Sequence, residues 1–141
     1  EAQSLKVKIK LITDGDVSGA LLVSDKKYKI DLFLGIGGGP EGVIAACALD
    51  ALNCGFQGRL IFDNEISIKR AEKMGIKDLN KKYKINEIVK DDSIFCATGI
   101  TNGDLTKGVK FIDNFYETDT FVTHKSQKIA KNIKKNIFIK E

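Results

Sequence analysis

Residues 7–12 alternate Val7, Ile9 and Leu11 with lysines. A period of two predicts a strand with one apolar face. The run Ile30-Asp31-Leu32-Phe33-Leu34 predicts a second, buried strand ending at Gly35, and the stretches 58–63 and 93–98 predict a third and a fourth. Between these strands the pattern turns helical. Val17 to Val23 is a short helix candidate, and Pro40 to Leu52 a longer one stopped by Asn53-Cys54-Gly55, with Gly55 as its cap. Glu65 to Met74 predicts a helix that turns Ile66, Ile68, Ala71 and Met74 inward and closes at Gly75. Ile85 to Val89 reads as one further helical turn. Val109 to Tyr116 and Thr118 to Thr123 read as strands with no helix between them, which fits an antiparallel edge. Beyond them Lys125, Lys128, Lys131 and Lys134 fall three apart, and Ile129, Ile133 and Ile137 four apart. That spacing suits an amphipathic helix, or a strand with a frayed tail.

Strands alternating with helices predict an α/β fold, a mainly parallel sheet flanked by helices on both faces, in one domain over residues 1–141. Ligands on such folds bind beyond the carboxyl ends of strands. Three polar or glycine-rich motifs follow predicted strands here, so one shared site is expected.

Composition narrows the class. A chain of 141 residues, 43% hydrophobic and 30% charged, is an ordinary globular sequence with enough length for a real core. The formal charge of +4 comes from 23 basic and 19 acidic residues interspersed along the chain, which does not point to nucleic acid. No apolar run is long enough to cross a bilayer, and the first residues lack the apolar core of a secretion signal. The three cysteines, Cys47, Cys54 and Cys96, show no Cys-x-x-Cys spacing; Cys47 and Cys96 read as small buried hydrophobes. A reducing cytoplasm fits.

The candidate chemistry lies in three places. Gly35-Ile36-Gly37-Gly38-Gly39-Pro40-Glu41-Gly42-Val43 joins a strand to a helix through three consecutive glycines, with Pro40 suited to the first helical position. Unpaired N–H groups at such a helix start favour an anion. Glu41 places a carboxylate at the same spot. The helix dipole supplies only about half a positive charge there. A divalent cation between carboxylate and phosphate resolves the repulsion. The plainer reading is a tight turn with an acidic first helical turn. The pattern completes neither a dinucleotide fingerprint nor a Walker loop.

Thr13-Asp14-Gly15-Asp16-Val17 sets two carboxylates around a glycine, to hold sugar hydroxyls or a metal, or else to serve as an Asx turn and a helix N-cap at Asp16. Phe95-Cys96-Ala97-Thr98-Gly99-Ile100-Thr101-Asn102-Gly103-Asp104 runs from a strand into a loop of small residues, able to wrap a ligand or to form two consecutive turns. His124, the single histidine, reads as a strand cap or a solvent-facing group.

Taken in order, these three motifs, with Gly58-Arg59-Leu60, Met74-Gly75-Ile76 and Gly108-Val109, resemble the C-terminal part of class II fructose-1,6-bisphosphatase, the bacterial GlpX type, along almost the whole chain. The resemblance implies the C-terminal half of a layered α/β sugar-phosphatase sandwich. It implies a cytoplasmic hydrolase of gluconeogenesis that removes the 1-phosphate of fructose 1,6-bisphosphate with Mn²⁺ or Mg²⁺, some relatives also taking sedoheptulose 1,7-bisphosphate. By position it assigns substrate contacts to Asp14, Gly15, Asp16 and Gly38, and a metal ligand to Glu41.

Family members are more than twice as long, and their N-terminal half carries most metal-binding carboxylates and the catalytic threonine. The resemblance therefore implies that this stretch works with that N-terminal half, is inactive alone, and belongs to a homo-oligomer. Thr123-His124-Lys125-Ser126 stands where the family usually has an Arg-Ser pair. The alternative expectation is a non-catalytic module that binds a sugar phosphate or a nucleotide.

Overall fold

The computed structural model describes residues 4, 6–13 and 15–139. Its helices are α1 (Asp16–Leu21), α2 (Gly39–Ala51), α3 (Glu65–Lys73) and α4 (Ile85–Ile88). Its strands are β1 (Gln57–Arg59), β2 (Lys82–Lys84), β3 (Ile94–Thr98), β4 (Lys110–Ile112), β5 (Phe115–His124) and β6 (Ile129–Phe138). The α/β mixture matches expectation, but the parallel sheet does not. Every strand pairing among the described residues is antiparallel. Stretches 7–12 and 31–35, predicted as strands, carry no ladder, and the third predicted strand shrinks to β1.

The ten-residue β5 organises the main sheet. One of its edges pairs first with β4 (Lys110↔Glu117 to Ile112↔Phe115) and then with β3 (Ile94↔His124 to Thr98↔Thr120). The other edge pairs along its full length with β6, from Phe115↔Phe138 to His124↔Ile129. The expected single strand 109–116 breaks because Asp113 takes a left-handed φ of 49° and reverses the chain between β4 and β5. Of the two C-terminal possibilities the strand is observed; isoleucines four apart share one face of a strand as readily as one side of a helix. A second, two-stranded sheet joins β1 to β2, and β2 has no sequence signal because Lys-Tyr-Lys offers one apolar position.

Helices α1 and α2 contribute Ala20, Leu21, Ala45, Ala48 and Leu49 to the core, against Phe95 of β3. Alanines at the contact let the helices approach closely, so Ala48 is fully buried. Phe95 meets Phe121 of β5 edge-to-face with centroids 6.3 Å apart, a geometry favoured by ring quadrupoles. α2 stops at a different residue from the one expected. Asn53, not Gly55, takes the left-handed position (φ 55°). The Cys54 N–H then donates to Leu49 O at 2.9 Å and the Asn53 N–H to Asp50 O at 3.2 Å. This is a Schellman closure, which tolerates asparagine as well as glycine. α3 closes at Gly75 as expected (φ 88°), with the Ile76 N–H on Ala71 O at 3.0 Å.

Other burial expectations change. Ala71 is buried, but Ile66 and Met74 are 80% and 72% exposed, because α3 has no element packed over that side. Cys47 is half-buried as a small apolar group, whereas Cys96 is exposed, since alternation along β3 buries Phe95 and turns Cys96 outward. Leu11, Leu32, Leu34 and Ile36 are 70–89% exposed in the two ladder-free stretches. No helix among the described residues is long and apolar enough to cross a membrane.

Candidate functional site

The first turns of α1 and α2 meet the loop after β3 around a cleft of about 530 Å³. Gly15, Asp16, Val17 and Ser18 form one side, Glu41 projects from α2, Phe95 and Ala97 come from β3, and Gly99–Thr106 supplies most of the far wall. Three motifs separated by up to 80 residues therefore share one site, as expected for ligand chemistry.

α1 begins beside Asp16, and its N-cap is Gly15 (φ 86°, ψ 51°), not Asp16. The left-handed backbone there is one that glycine adopts without a Cβ clash. Because Asp16 is the first helical residue rather than the cap, its carboxylate is released from capping. It lies against Gly37: a Cβ at Gly37 would sit 2.6 Å from Asp16 Oδ2. The next glycine plays the same part for Glu41, whose carboxylate folds over Gly38 and occupies the space a Cβ would need there. Glycine at 37 and at 38 thus leaves the space that each carboxylate occupies, and both acids line the cleft. Neither carboxylate has a hydrogen-bond or ion-pair partner among the described residues. Gly38 is also the N-cap of α2 and offers no side chain to the first N–H groups, while Pro40 occupies the first turn. Helix start, dipole and acids are therefore directed at one place.

Of the residues expected at the site, Gly15, Asp16 and Glu41 line the cleft, and Gly38 lies beneath the Glu41 carboxylate at its margin. Asp14 lies outside the described residues. Asp16 and Glu41 suit a hard divalent cation, which takes carboxylate oxygens. No group of three or more potential metal ligands exists among the described residues, so these two side chains can hold part of a coordination sphere and not the whole of one.

The loop from Gly99 to Val109 is the best-tied irregular segment of the site. Its neck closes through Val109 N–H to Ile100 O at 3.2 Å, and Gly103 N–H donates to Thr106 O at 2.9 Å. Asn102 Oδ1 accepts from the Gly108 N–H at 3.0 Å. Tyr28, from the 3-10 turn Lys26–Tyr28, donates its hydroxyl to Asp104 O at 2.7 Å. Asp119 of β5 takes the Gly99 N–H on its carbonyl at 3.0 Å and the Lys107 N–H on its carboxylate at 2.8 Å. Leu105, Thr106 and Asp119 were not expected here. The single acid of the expected strand 118–123, among threonines, Phe121 and Val122, is the signal that could have marked Asp119.

His124 is not a solvent-facing group. At the opposite end of β3, its Nε2 lies 2.7 Å from Asp92 Oδ2, and Ser126 Oγ donates to the same oxygen at 2.5 Å. The Ser126 hydroxyl, then the His124 ring, hold the Asp92 carboxyl at about 2, well below its ordinary value. Both Ser126 and Asp92 approach the same ring nitrogen, so the trio is not ordered as nucleophile, base and orienting acid. Lys125 Nζ meets Asp50 Oδ1 of α2 at 2.7 Å, and together these contacts fasten the β5–β6 turn.

Comparison with known proteins gives a consistent picture. Residues 1–137 match the family described as bacterial fructose-1,6-bisphosphatase, glpX-encoded. The chain is 40% identical to a fructose-1,6-bisphosphatase class 2 of Haemophilus influenzae, over 93% of this chain and 44% of the relative. It is 40% identical to a D-fructose 1,6-bisphosphatase class 2/sedoheptulose 1,7-bisphosphatase of a Synechococcus strain, over 82% of this chain and 37% of the relative. A protein of the same description from Trichodesmium erythraeum is 37% identical over 93% of this chain and 42% of its own length. The chain thus spans well under half the length of these relatives.

Proposed function

The chain belongs to the family of glpX-encoded bacterial fructose-1,6-bisphosphatases, and on that premise we propose that it supplies the sugar-orienting side of a metal-dependent sugar-bisphosphate phosphatase. The reaction is hydrolysis of fructose 1,6-bisphosphate to fructose 6-phosphate and phosphate, a step of gluconeogenesis in the cytoplasm. The observation that carries the reading is the seating of the Asp16 and Glu41 carboxylates on consecutive glycines, facing a polar loop across one cleft.

In this reading Glu41 holds one divalent cation, Mn²⁺ or Mg²⁺. Such an ion supplies charge neutralisation at phosphate oxygens and a lower pKa for bound water. Asp16, with Asp14, accepts hydrogen bonds from sugar hydroxyls, and Gly15 and Gly38 let the backbone approach the substrate closely. The start of α2 directs unpaired N–H groups toward the phosphoryl oxygens. Thr101 and Thr106 offer hydroxyls from the far wall. Phe95 and Ala97 close the cleft floor and exclude water from beneath the sugar.

The remaining ligands come from the N-terminal half that the longer relatives contain. The apolar, ladder-free stretches 7–12 and 31–36 support this, because they leave backbone groups and apolar side chains uncovered. Alone, the 141 residues bind without turnover. The assembled enzyme is a homo-oligomer in this reading.

The test is Glu41→Gln in the full enzyme, which removes a charge without changing shape. Phosphate release should fall at least tenfold at limiting metal, and the Mn²⁺ concentration for half-maximal rate should rise. Unchanged metal dependence would contradict the assignment. A second reading, a non-catalytic sugar-phosphate module, is favoured by the lack of a three-ligand cluster among the described residues. Saturable binding without turnover, even with the N-terminal half supplied, would establish it.

A further inference from the structure

The cleft wall formed by Gly99–Val109 has a single buried charged residue behind it. β3 leaves the edge of β5 at Thr98↔Thr120, and β4 rejoins that edge at Lys110↔Glu117. Between those pairs, Thr118 and Asp119 have no ladder partner on that side. The loop bulges outward there, and its N–H groups need other acceptors. Asp119 provides them twice, through its carbonyl to Gly99 and through its carboxylate Oδ2 to Lys107. Its second carboxylate oxygen, Oδ1, accepts from Asn132 Nδ2 of β6 at 3.2 Å, and the same Asn132 amide reaches Leu105 O at 3.2 Å.

Asp119 is 93% buried by this arrangement, with 7% of its surface exposed. Among the described residues no lysine or arginine forms an ion pair with it. A buried carboxylate without a counter-charge is costly unless its oxygens are hydrogen-bonded. A neutral side chain could fill the volume at lower cost, so the carboxylate answers a geometric need. The acid links the loop to β5 and, through Asn132, to β6. There is no slack in the loop to absorb a change, because a Cβ on Gly99 would strike Lys107 O and one on Gly108 would lie 2.8 Å from Thr101 C.

We propose that Asp119 is a positioning residue that fixes the far wall of the cleft, so that Thr101, Asp104 and Thr106 meet a bound sugar phosphate without first being ordered. It touches no substrate itself. The inference rests on the reading of the cleft as a sugar-phosphate site. A preorganised wall avoids an ordering cost on binding, so its loss appears mainly as weaker binding.

The test is Asp119→Asn, with Asn132→Ala as an independent second variant, in the catalytically competent protein that contains these residues. Asn keeps one acceptor and replaces the other by a donor that faces either Lys107 N–H or the Asn132 amide. Hydrogen exchange at Lys107 and Gly108 should rise at least tenfold while α2 and α3 keep their protection. The KM for fructose 1,6-bisphosphate should rise about tenfold, with kcat changed less than threefold. A purely structural role would instead raise exchange throughout, or lower the active fraction and kcat at constant KM, and either result would overturn the proposal. So would faster loop exchange with an unchanged KM. An inactive parent protein would defeat the hydrolase reading alone; exchange at Lys107 and Gly108, with fructose 1,6-bisphosphate affinity by calorimetry, would then decide the role of Asp119 by the same criteria.

Discussion

Substituting alanine for two glycines of this chain should move stability in opposite directions. Gly42 lies in the first turns of α2, and a Cβ placed there meets nothing within 4 Å. Gly42→Ala should stabilise by about 0.5–1 kcal/mol, the usual helical difference between the two residues. Gly108 is buried at the neck of the cleft loop. A Cβ there would lie 2.8 Å from Thr101 C, 2.9 Å from Asn102 N and 2.9 Å from Ile100 O. All three are backbone atoms, so no side chain can rotate away. Ordinary carbon contacts are about 3.5–4.0 Å, so the neck must open by roughly 0.6–1 Å. That strains the Gly108 and Val109 hydrogen bonds to Asn102 and Ile100. Overpacking costs about 1–3 kcal/mol and a weakened hydrogen bond about 1 more. The stiffer unfolded chain returns about 0.4–1. The net is a loss of about 1–3.6 kcal/mol. At about 4 °C per kcal/mol for a chain of this size, Gly108→Ala should melt roughly 4–14 °C lower and Gly42→Ala about 2–4 °C higher. Thermal unfolding followed by circular dichroism at pH 7 measures both. Gly108→Ala melting at or above the parent would refute the claim that the neck is sterically closed.

Three further outcomes follow from single contacts. Phe95→Ala, which empties the cleft floor and removes the ring contact with Phe121, should cost about 3–5 kcal/mol in urea unfolding, whereas Phe95→Leu should cost much less. The Asp92 carboxyl, held at about 2 by Ser126 and His124, has a folded pKa below its unfolded one. Its stabilising effect is therefore present above about pH 4 and is lost as the pH falls toward 2. The melting-temperature gap between parent and Asp92→Asn should close across that window, and a gap that stays constant down to pH 2 contradicts the contact. The exposed Cys96 should react with a thiol reagent before Cys54, whose thiol pKa is raised by burial; peptide mapping after brief labelling would show the order.

The helices were legible in the sequence because their signals are local. Pro40 and Gly75 mark backbone needs that lie within a turn of themselves. The misjudged C-cap at Gly55 shows the limit of that reading, since Asn53 can take the same left-handed position two residues earlier. Strand direction was not legible. An apolar run such as 93–98 looks the same in a parallel or an antiparallel ladder, and β5 is the partner that decides. The cleft was partly legible, because the glycines and acids that line it cluster in three short motifs of the sequence. Asp119 and the far end of the loop were not, because their role depends on a gap in pairing that exists only once β3 and β4 are both docked on β5.

The disposition of charge across the chain bears on the same site. The sequence carries 23 basic residues against 19 acidic ones, so a cation is available for most carboxylates. Asp25 meets Lys27, Glu65 meets Lys69, Glu87 meets Lys81 and Asp50 meets Lys125. All of these pairs lie away from the cleft. Asp16 and Glu41, which line the cleft at the glycine run, have none among the described residues. In the proposed function a divalent ion and a sugar hydroxyl would give each carboxylate the partner it lacks among the described residues. A lysine at this position would pair with the carboxylates and block those partners. The uneven placement of a surplus of lysine is thus the electrostatic counterpart of the glycine run, the one keeping charge away from the cleft and the other keeping side chains out.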